Sequence, residues 1–365
     1  MSSHESDRNI EFSSDFVTDF ASGVHERTLA FFEQQQTRWL EHPEREEFLR
    51  LARLYLGEGK ALRALCVNIG AYITGAAPFG QDPVAQALGV ATEIYQASAL
   101  VHDDVIDAAG TRRGHASLHA EAAASYGVDT GEHMAILVGD FLLSLNHLAT
   151  AHATLGLDAE VAARVHSYMA TMTAEVAWGQ YLDILTEQAP LADPDALEEE
   201  VKTVIALKSG DYSAMRPLAL GALVNEPADS LVVKKLEEVG RYWGIAFQMR
   251  DDALGMFGDE DQTGKPTGND VLEGKRTVLI ALALQRANAA EREIIETTLG
   301  RADATAQEVA RVRRICQTTG ATRVHEAMIR QYTEKGAQIA RTLKLDGPRE
   351  HALLELGRIL TQRAS

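Results

Sequence analysis

A chain of 365 residues that is 45% hydrophobic and 24% charged has ample apolar material for a sizeable core, which excludes a globally disordered protein. Its formal net charge of -18 repels nucleic acid and anionic lipid headgroups, so no nucleic-acid partner is expected and any anionic ligand must be drawn in locally, by metal ions or a few basic side chains. The two cysteines, Cys66 and Cys316, are too few for a disulfide framework or a thiolate metal site and are expected as reduced, buried thiols.

In chain order, residues 1–14 read as a loose tail, and residues 1–19 are too polar for a secretory signal. No apolar run is expected to reach the length that crosses a bilayer, so neither a membrane anchor nor a non-cytoplasmic location is expected. Only 9 prolines occur, and the spans between Gly/Pro clusters place apolar residues three and four apart, which predicts an all-α fold of the large-bundle kind. Asp82-Pro83 and Asp193-Pro194 each set a capping acceptor before a proline, which suits the first helical position because its missing N–H costs nothing there. The predicted helices run from residue 83 to about 108 and from 194 to about 224, with others over 151–185 and Leu231–Phe257. No repeat, low-complexity block or linker interrupts them, so one domain over residues 15–365 is expected.

Two acidic clusters interrupt the apolar pattern. Leu100-Val101-His102-Asp103-Asp104-Val105-Ile106-Asp107 places carboxylates four residues apart, one helical turn from each other on one face. Adjacent negative charges repel, and a hard cation is the natural compensation, because Mg²⁺ is held by one or two carboxylates together with substrate phosphate oxygens. A second cluster, Gln248-Met249-Arg250-Asp251-Asp252, sits in another long apolar helix. Either alone reads as a solvated helix end; two, each embedded in apolar sequence, do not. Basic residues complete the set: Lys60 and Arg63 after a Gly57-Glu58-Gly59 turn, Arg112-Arg113-Gly114 after the first cluster, and Lys265 and Lys275 around the second. Arginine forks match phosphate oxygens and lysine adds a mobile point charge, so the whole describes a polyphosphate site with bridging metals.

In these motifs the chain resembles the trans-isoprenyl diphosphate synthases, or polyprenyl synthetases, over roughly residues 57–283. The matching blocks are Asp103-Asp104-Val105-Ile106-Asp107, Arg112-Arg113-Gly114 with His119, Val138-Gly139-Asp140, Gly179-Gln180-Tyr181-Leu182-Asp183, Lys208-Ser209 and Phe247-Gln248-Met249-Arg250-Asp251-Asp252. Two departures stand out. Gly255 occupies the place of the family's usual last aspartate in the second motif, and Gly59-Lys60-Ala61-Leu62-Arg63-Ala64 replaces a more basic block while keeping both cations.

The resemblance implies a homodimeric, magnesium-dependent condensation of isopentenyl diphosphate with an allylic prenyl diphosphate. Three Mg²⁺ ions would be held by Asp103, Asp104 and Asp107 and by Asp251 and Asp252, with Arg112, Lys208, Lys265 and Lys275 as clamps on the allylic diphosphate. Lys60, Arg63, Gln96 and Arg113 would hold the homoallylic one, while Lys208, Ser209 and Gln248 would steady the cation formed on ionisation. Residues 258–274, rich in Gly, Asp and Lys, are expected to form a lid carrying Lys265. The run 259–264 also begins like an EF-hand loop, but Asp270 stands at its twelfth position instead of Glu and calcium is not expected. His115 and His119 read as locally hydrogen-bonded, and Trp178 and Trp243 as core.

Product length should depend on the side chains below Asp103. Ala99 lies one turn down with Ser98 beside it, and Tyr95 lies a turn deeper. Since a turn rises about 5.4 Å, small residues at the first turn pass a C15 chain and an aromatic at the second stops it at C20, geranylgeranyl diphosphate. The alternatives are a C15 product, one of C25 or longer, a class I terpene cyclase, or a non-catalytic subunit of a heteromeric synthase; Lys60, Arg63 and Arg113 argue against the cyclase and the intact aspartates against the subunit.

Overall fold

The computed structural model describes residues 12–36, 41–258 and 267–362. Its helices are α1 (Ser14–Gln36), α2 (Arg45–Arg53), α3 (Leu62–Thr74), α4 (Pro83–Ile106), α5 (Leu118–Tyr126), α6 (Val128–Ala153), α7 (Ala159–Glu187), α8 (Pro194–Val204), α9 (Arg216–Ala222) and α10 (Leu231–Phe257). They continue as α11 (Asn269–Glu273), α12 (Val278–Arg286), α13 (Ala289–Thr298), α14 (Ala306–Thr318), α15 (Ala321–Arg341) and α16 (Gly347–Thr361). Among the described residues the one sheet is a hairpin of β1 (Thr111–Arg112) and β2 (His115–Ala116), so the all-α expectation holds.

Both Asp-Pro starts form as the sequence predicts. The Asp82 carboxylate accepts from the Val84 and Ala85 N–H groups at 2.9 and 3.0 Å, and Asp193 accepts from Ala196 at 3.1 Å. Helix α10 has its predicted bounds, whereas two other boundaries differ. The span 151–185 is broken between α6 and α7, where Gly156 takes a left-handed φ of 84° that ends one helix before the next begins. The span from 194 is α-helical only to Val204, then runs as a π-helix over Ile205–Met215 before α9.

Two compact units make up the chain. The first comprises Met1–Thr171, Arg216–Glu237 and Leu343–Leu356, the second Met172–Met215, Glu238–Thr342 and Gly357–Ser365, and α7 and α10 each begin in one and end in the other. In the first unit α4 packs on α6 and α3, α5 packs on α6, and α3 lies on α9. The backbones of α3 and α9 touch: a Cβ on Gly70 would collide with the Leu218 carbonyl, and one on Gly221 with that of Val67. Helix α6 is, contrary to expectation, long and apolar enough to cross a membrane; it packs against α4 and α5, and part of its apolar surface stays exposed. In the second unit the core gathers on α12, whose Val278 to Leu284 are all buried, together with Met249 and Met256 of α10 and Val312 and Cys316 of α14. Burial pushes the thiols of Cys66 and Cys316 up to about 12, so both stay protonated and inert. Trp243 is core as expected; Trp178 is not, being half exposed with its ring stacked on Tyr181.

Candidate active site

Helix α4 presents one partly exposed stripe toward its C-terminal end. Glu93, Gln96, Ala99, Asp103 and Asp107 recur at three- and four-residue spacing and are all partly exposed, while Tyr95, Ser98 and Asp104 between them are buried. Asp104 is only 1% exposed and turns inward to accept from Arg112 Nε at 2.9 and 3.1 Å through its two oxygens. The Tyr55 hydroxyl donates to the same carboxylate and accepts from the Leu118 N–H at 3.3 Å. Burial and that carboxylate hold the phenol well above its ordinary pKa, so it remains a donor. Asp104 therefore fixes Arg112, which also approaches Asp103 at 3.4 Å, and leaves Asp103 and Asp107 as the partly exposed carboxylates. The Ser98 hydroxyl is given to the Gly139 carbonyl of α6 at 2.8 Å.

The hairpin after α4 separates two adjacent arginines. Its register pairs Thr111 with Ala116 and Arg112 with His115, leaving Arg113-Gly114 as a two-residue turn with φ of 52° and 80°, the signature of type I′. Arg112 goes to Asp104. Arg113 goes the other way, to Glu58 at 3.2 Å, and its guanidinium packs so closely on Gly59 that a Cβ there would lie 2.9 Å from it. Lys60 is exposed beside this turn and Arg63 partly buried. Three of the four non-glycine residues with positive φ among the described residues flank this set: Ala61 at 46°, Ala108 at 48° and Arg113 at 52°. Each costs on the order of 1–2 kcal/mol and persists because the surroundings determine it.

In the second unit the π-helix holds Lys208 and Ser209. Its backbone lies against glycines, since a Cβ on Gly179 of α7 would collide with the Lys208 N–H and one on Gly244 of α10 with the Gly210 carbonyl. Lys208 Nζ then sits 2.5 Å from Asp183 Oδ2. The Gln248 amide donates to Asp252 at 2.8 Å, which leaves its own carbonyl oxygen as the remaining pole. Asp252 is pushed up to about 8, first by burial and then by the nearby carboxylates of Asp270 and Asp251, against the pull of Gln248 and Lys275. Lys275 pairs with Glu273 at 2.8 Å. Beside Gly255, where the family usually has aspartate, stands another carboxylate: a Cβ on Gly255 would collide with the side chain of Asp270. Lys265 and the run 259–264 lie outside the described residues, as does the part of the expected lid over 259–266.

Carboxylates crowded as at Asp251, Asp252 and Asp270, and a turn apart as at Asp103 and Asp107, suit a hard divalent cation. Among the described residues no three His, Cys, Asp or Glu side chains close a cage, and Mg²⁺ needs none where phosphate oxygens and water complete its shell. Tyr55 and Glu93 in the first unit and Asp270 in the second stand among these side chains without having been read as functional. They meet their partners only through tertiary contact, and no local spacing marks them.

The Polyprenyl synthetase family model matches residues 45–316. A geranylgeranyl diphosphate synthase of Saccharolobus solfataricus is 35% identical over 72% of this chain and 74% of its own, and a geranylfarnesyl diphosphate synthase of Aeropyrum pernix 32% identical over 77% and 82%. The crystal structure of geranylgeranyl pyrophosphate synthase from Corynebacterium glutamicum, complexed with isoprenyl diphosphate and magnesium, superposes with a TM-score of 0.87 at 31% identity, covering 95% of this chain and 99% of that one.

Proposed function

The chain belongs to the polyprenyl synthetase family, and from that premise we propose that it condenses isopentenyl diphosphate head-to-tail with an allylic prenyl diphosphate, releasing pyrophosphate and ending at C20. The observation that carries this reading is the division of labour in the hairpin. Arg112 serves the aspartate-rich face and Arg113 the Glu58-Gly59 turn beside Lys60 and Arg63, which provides for two diphosphates where a cyclase needs one.

Asp103 and Asp107 on α4, and Asp251, Asp252 and Asp270 in the second unit, would hold magnesium, three ions in all by family resemblance. When bound, it supplies positive charge to the diphosphate that departs. Arg112, Lys208, Lys265 and Lys275 bind the same group, so that the allylic C–O bond ionises toward preorganised cations and no protein nucleophile is required. The Gln248 carbonyl and Ser209 orient toward the carbocation, and water must be kept from it. Lys60, Arg63, Gln96 and Arg113 hold isopentenyl diphosphate, whose double bond attacks; the proton then lost passes to the released pyrophosphate. Helices α7 and α10, shared by both units, support one catalytic domain. On α6, Ile136 and Leu137 are 42% and 62% exposed, an apolar face that supports a homodimer. Buried Tyr95, below partly exposed Ala99, supports a floor at C20.

Purified protein incubated with Mg²⁺, labelled isopentenyl diphosphate and, separately, dimethylallyl, geranyl or farnesyl diphosphate should give a C20 product by chromatography, and Tyr95→Ala a longer one. A wild-type product longer than C20, or no change with Tyr95→Ala, removes the floor. No elongation from any primer removes the synthase reading.

A further inference from the structure

Helix α3 begins without a cap of its own. Its N-cap position is Ala61, whose methyl group can accept no hydrogen bond and whose left-handed backbone turns the chain sharply into the helix. The Leu65 N–H reaches the Ala61 carbonyl at 3.0 Å, but the N–H groups of Arg63 and Ala64 precede the first helical bonds and need an acceptor from elsewhere. They receive one from α4. Glu93 Oε1 accepts from the Ala64 N–H at 3.1 Å, and the Arg63 N–H donates to the same carboxylate.

The position of Glu93 is informative in two further ways. It lies one turn before Gln96, at the near end of the stripe that continues to Asp103 and Asp107. Its carboxylate also lies in the field of both the Arg63 and Arg113 guanidinium groups, while the more exposed Glu58 pairs with Arg113 from the other side. Burial raises its pKa, and the two arginines and two backbone N–H groups oppose that shift. Arg63 is thus fixed at its own backbone N–H by the carboxylate that faces its charge.

Resting on the assignment of Lys60, Arg63, Gln96 and Arg113 to the homoallylic diphosphate, we propose that Glu93 is a positioning residue for that substrate: it caps α3 from α4 and sets Arg63 and Arg113 for the incoming phosphates. It does not touch the reacting atoms. A cap that served stability alone would lower the melting temperature and leave both Michaelis constants unchanged, whereas a positioning group separates the two substrates.

The test is a pair of variants, Glu93→Ala and Glu93→Gln, in the full-length protein. Glu93→Ala should raise KM for isopentenyl diphosphate about tenfold while KM for the allylic substrate stays within about twofold, the scale of a lost helix cap expressed as affinity. Glu93→Gln, which keeps an acceptor at the same reach but no charge, should fall between. Titration calorimetry with isopentenyl diphosphate and no metal should show the same order in Kd. Equal rises in both constants, or wild-type constants for both substrates, would overturn the proposal. Should Glu93→Ala not fold, Glu93→Asp carries the test: it keeps the charge but draws the oxygens back by a methylene, so the same split supports positioning and wild-type constants overturn it. A wild-type protein that binds no isopentenyl diphosphate overturns the function reading itself, an outcome separable from a wild type that binds and variants that bind equally well.

Discussion

Among single residues, Asp252 has the most exposed consequence. Its ordinary value is 3.8, and in the folded protein without metal it is held near 8 by burial among Asp251 and Asp270. At neutral pH the native state therefore keeps a proton that the unfolded chain has released. The resulting stabilisation is fully present below 3.8 and is lost as pH rises through about 8. Thermal melts without metal should accordingly fall in midpoint between pH 5 and 8, and Asp252→Asn should flatten the slope. A slope unchanged in that variant would place the titration elsewhere. Magnesium should flatten it too, since a cation among these carboxylates takes over the role of the proton. Asp270 matters to this balance although its sequence neighbourhood shows only the start of an EF-hand pattern. The gap at Gly255 is plain in the sequence, but that another carboxylate stands beside it is a tertiary fact.

Among elements, the helix crossings carry most of the precision. Because the α3 and α9 backbones meet at Gly70 and Gly221, a methyl group has nowhere to go, and Gly221→Ala should destabilise by about 3 kcal/mol or more. The control is Gly347→Ala, at a position where a Cβ meets nothing, which should stay within about 0.5 kcal/mol. Equal denaturation midpoints for the two would refute the close crossing. The same geometry explains what could be read beforehand. Asp82-Pro83, Asp193-Pro194 and the full extent of α10 are local signals, and so is the spacing that puts Asp103 and Asp107 on one face. The π-helix is not local: Ile205–Met215 has the apolar pattern of an α-helix, and its backbone meets Gly179 of α7 and Gly244 of α10, which lie far away in sequence. Likewise Tyr55 and Glu93 acquire their partners 49 and 29 residues away, where no periodicity can point.

Over the whole molecule, an excess of 18 negative charges disfavours anion binding except where basic residues meet locally, as Lys60 and Arg63 at the start of α3 and Arg112 and Arg113 in the hairpin do. The apolar face of α6 is a second whole-molecule feature. For the homodimer proposed above, Leu137→Glu, at an exposed position, should elute as a monomer by size-exclusion chromatography with light scattering and lose the stabilisation that association gives, lowering its melting temperature. A variant that elutes as wild type would place the contact on another face. Finally, Ala61, Ala108 and Arg113 hold backbone conformations that glycine would adopt without strain. The genetic code puts glycine one base change from every alanine and every arginine codon, so relief is always within mutational reach. At Ala61, however, glycine would also enlarge the set of conformations open to the turn before α3. Glycine at Ala61 would thus relieve strain in the folded backbone while loosening the turn that, in the function proposed above, holds isopentenyl diphosphate, so the two effects oppose each other at one position.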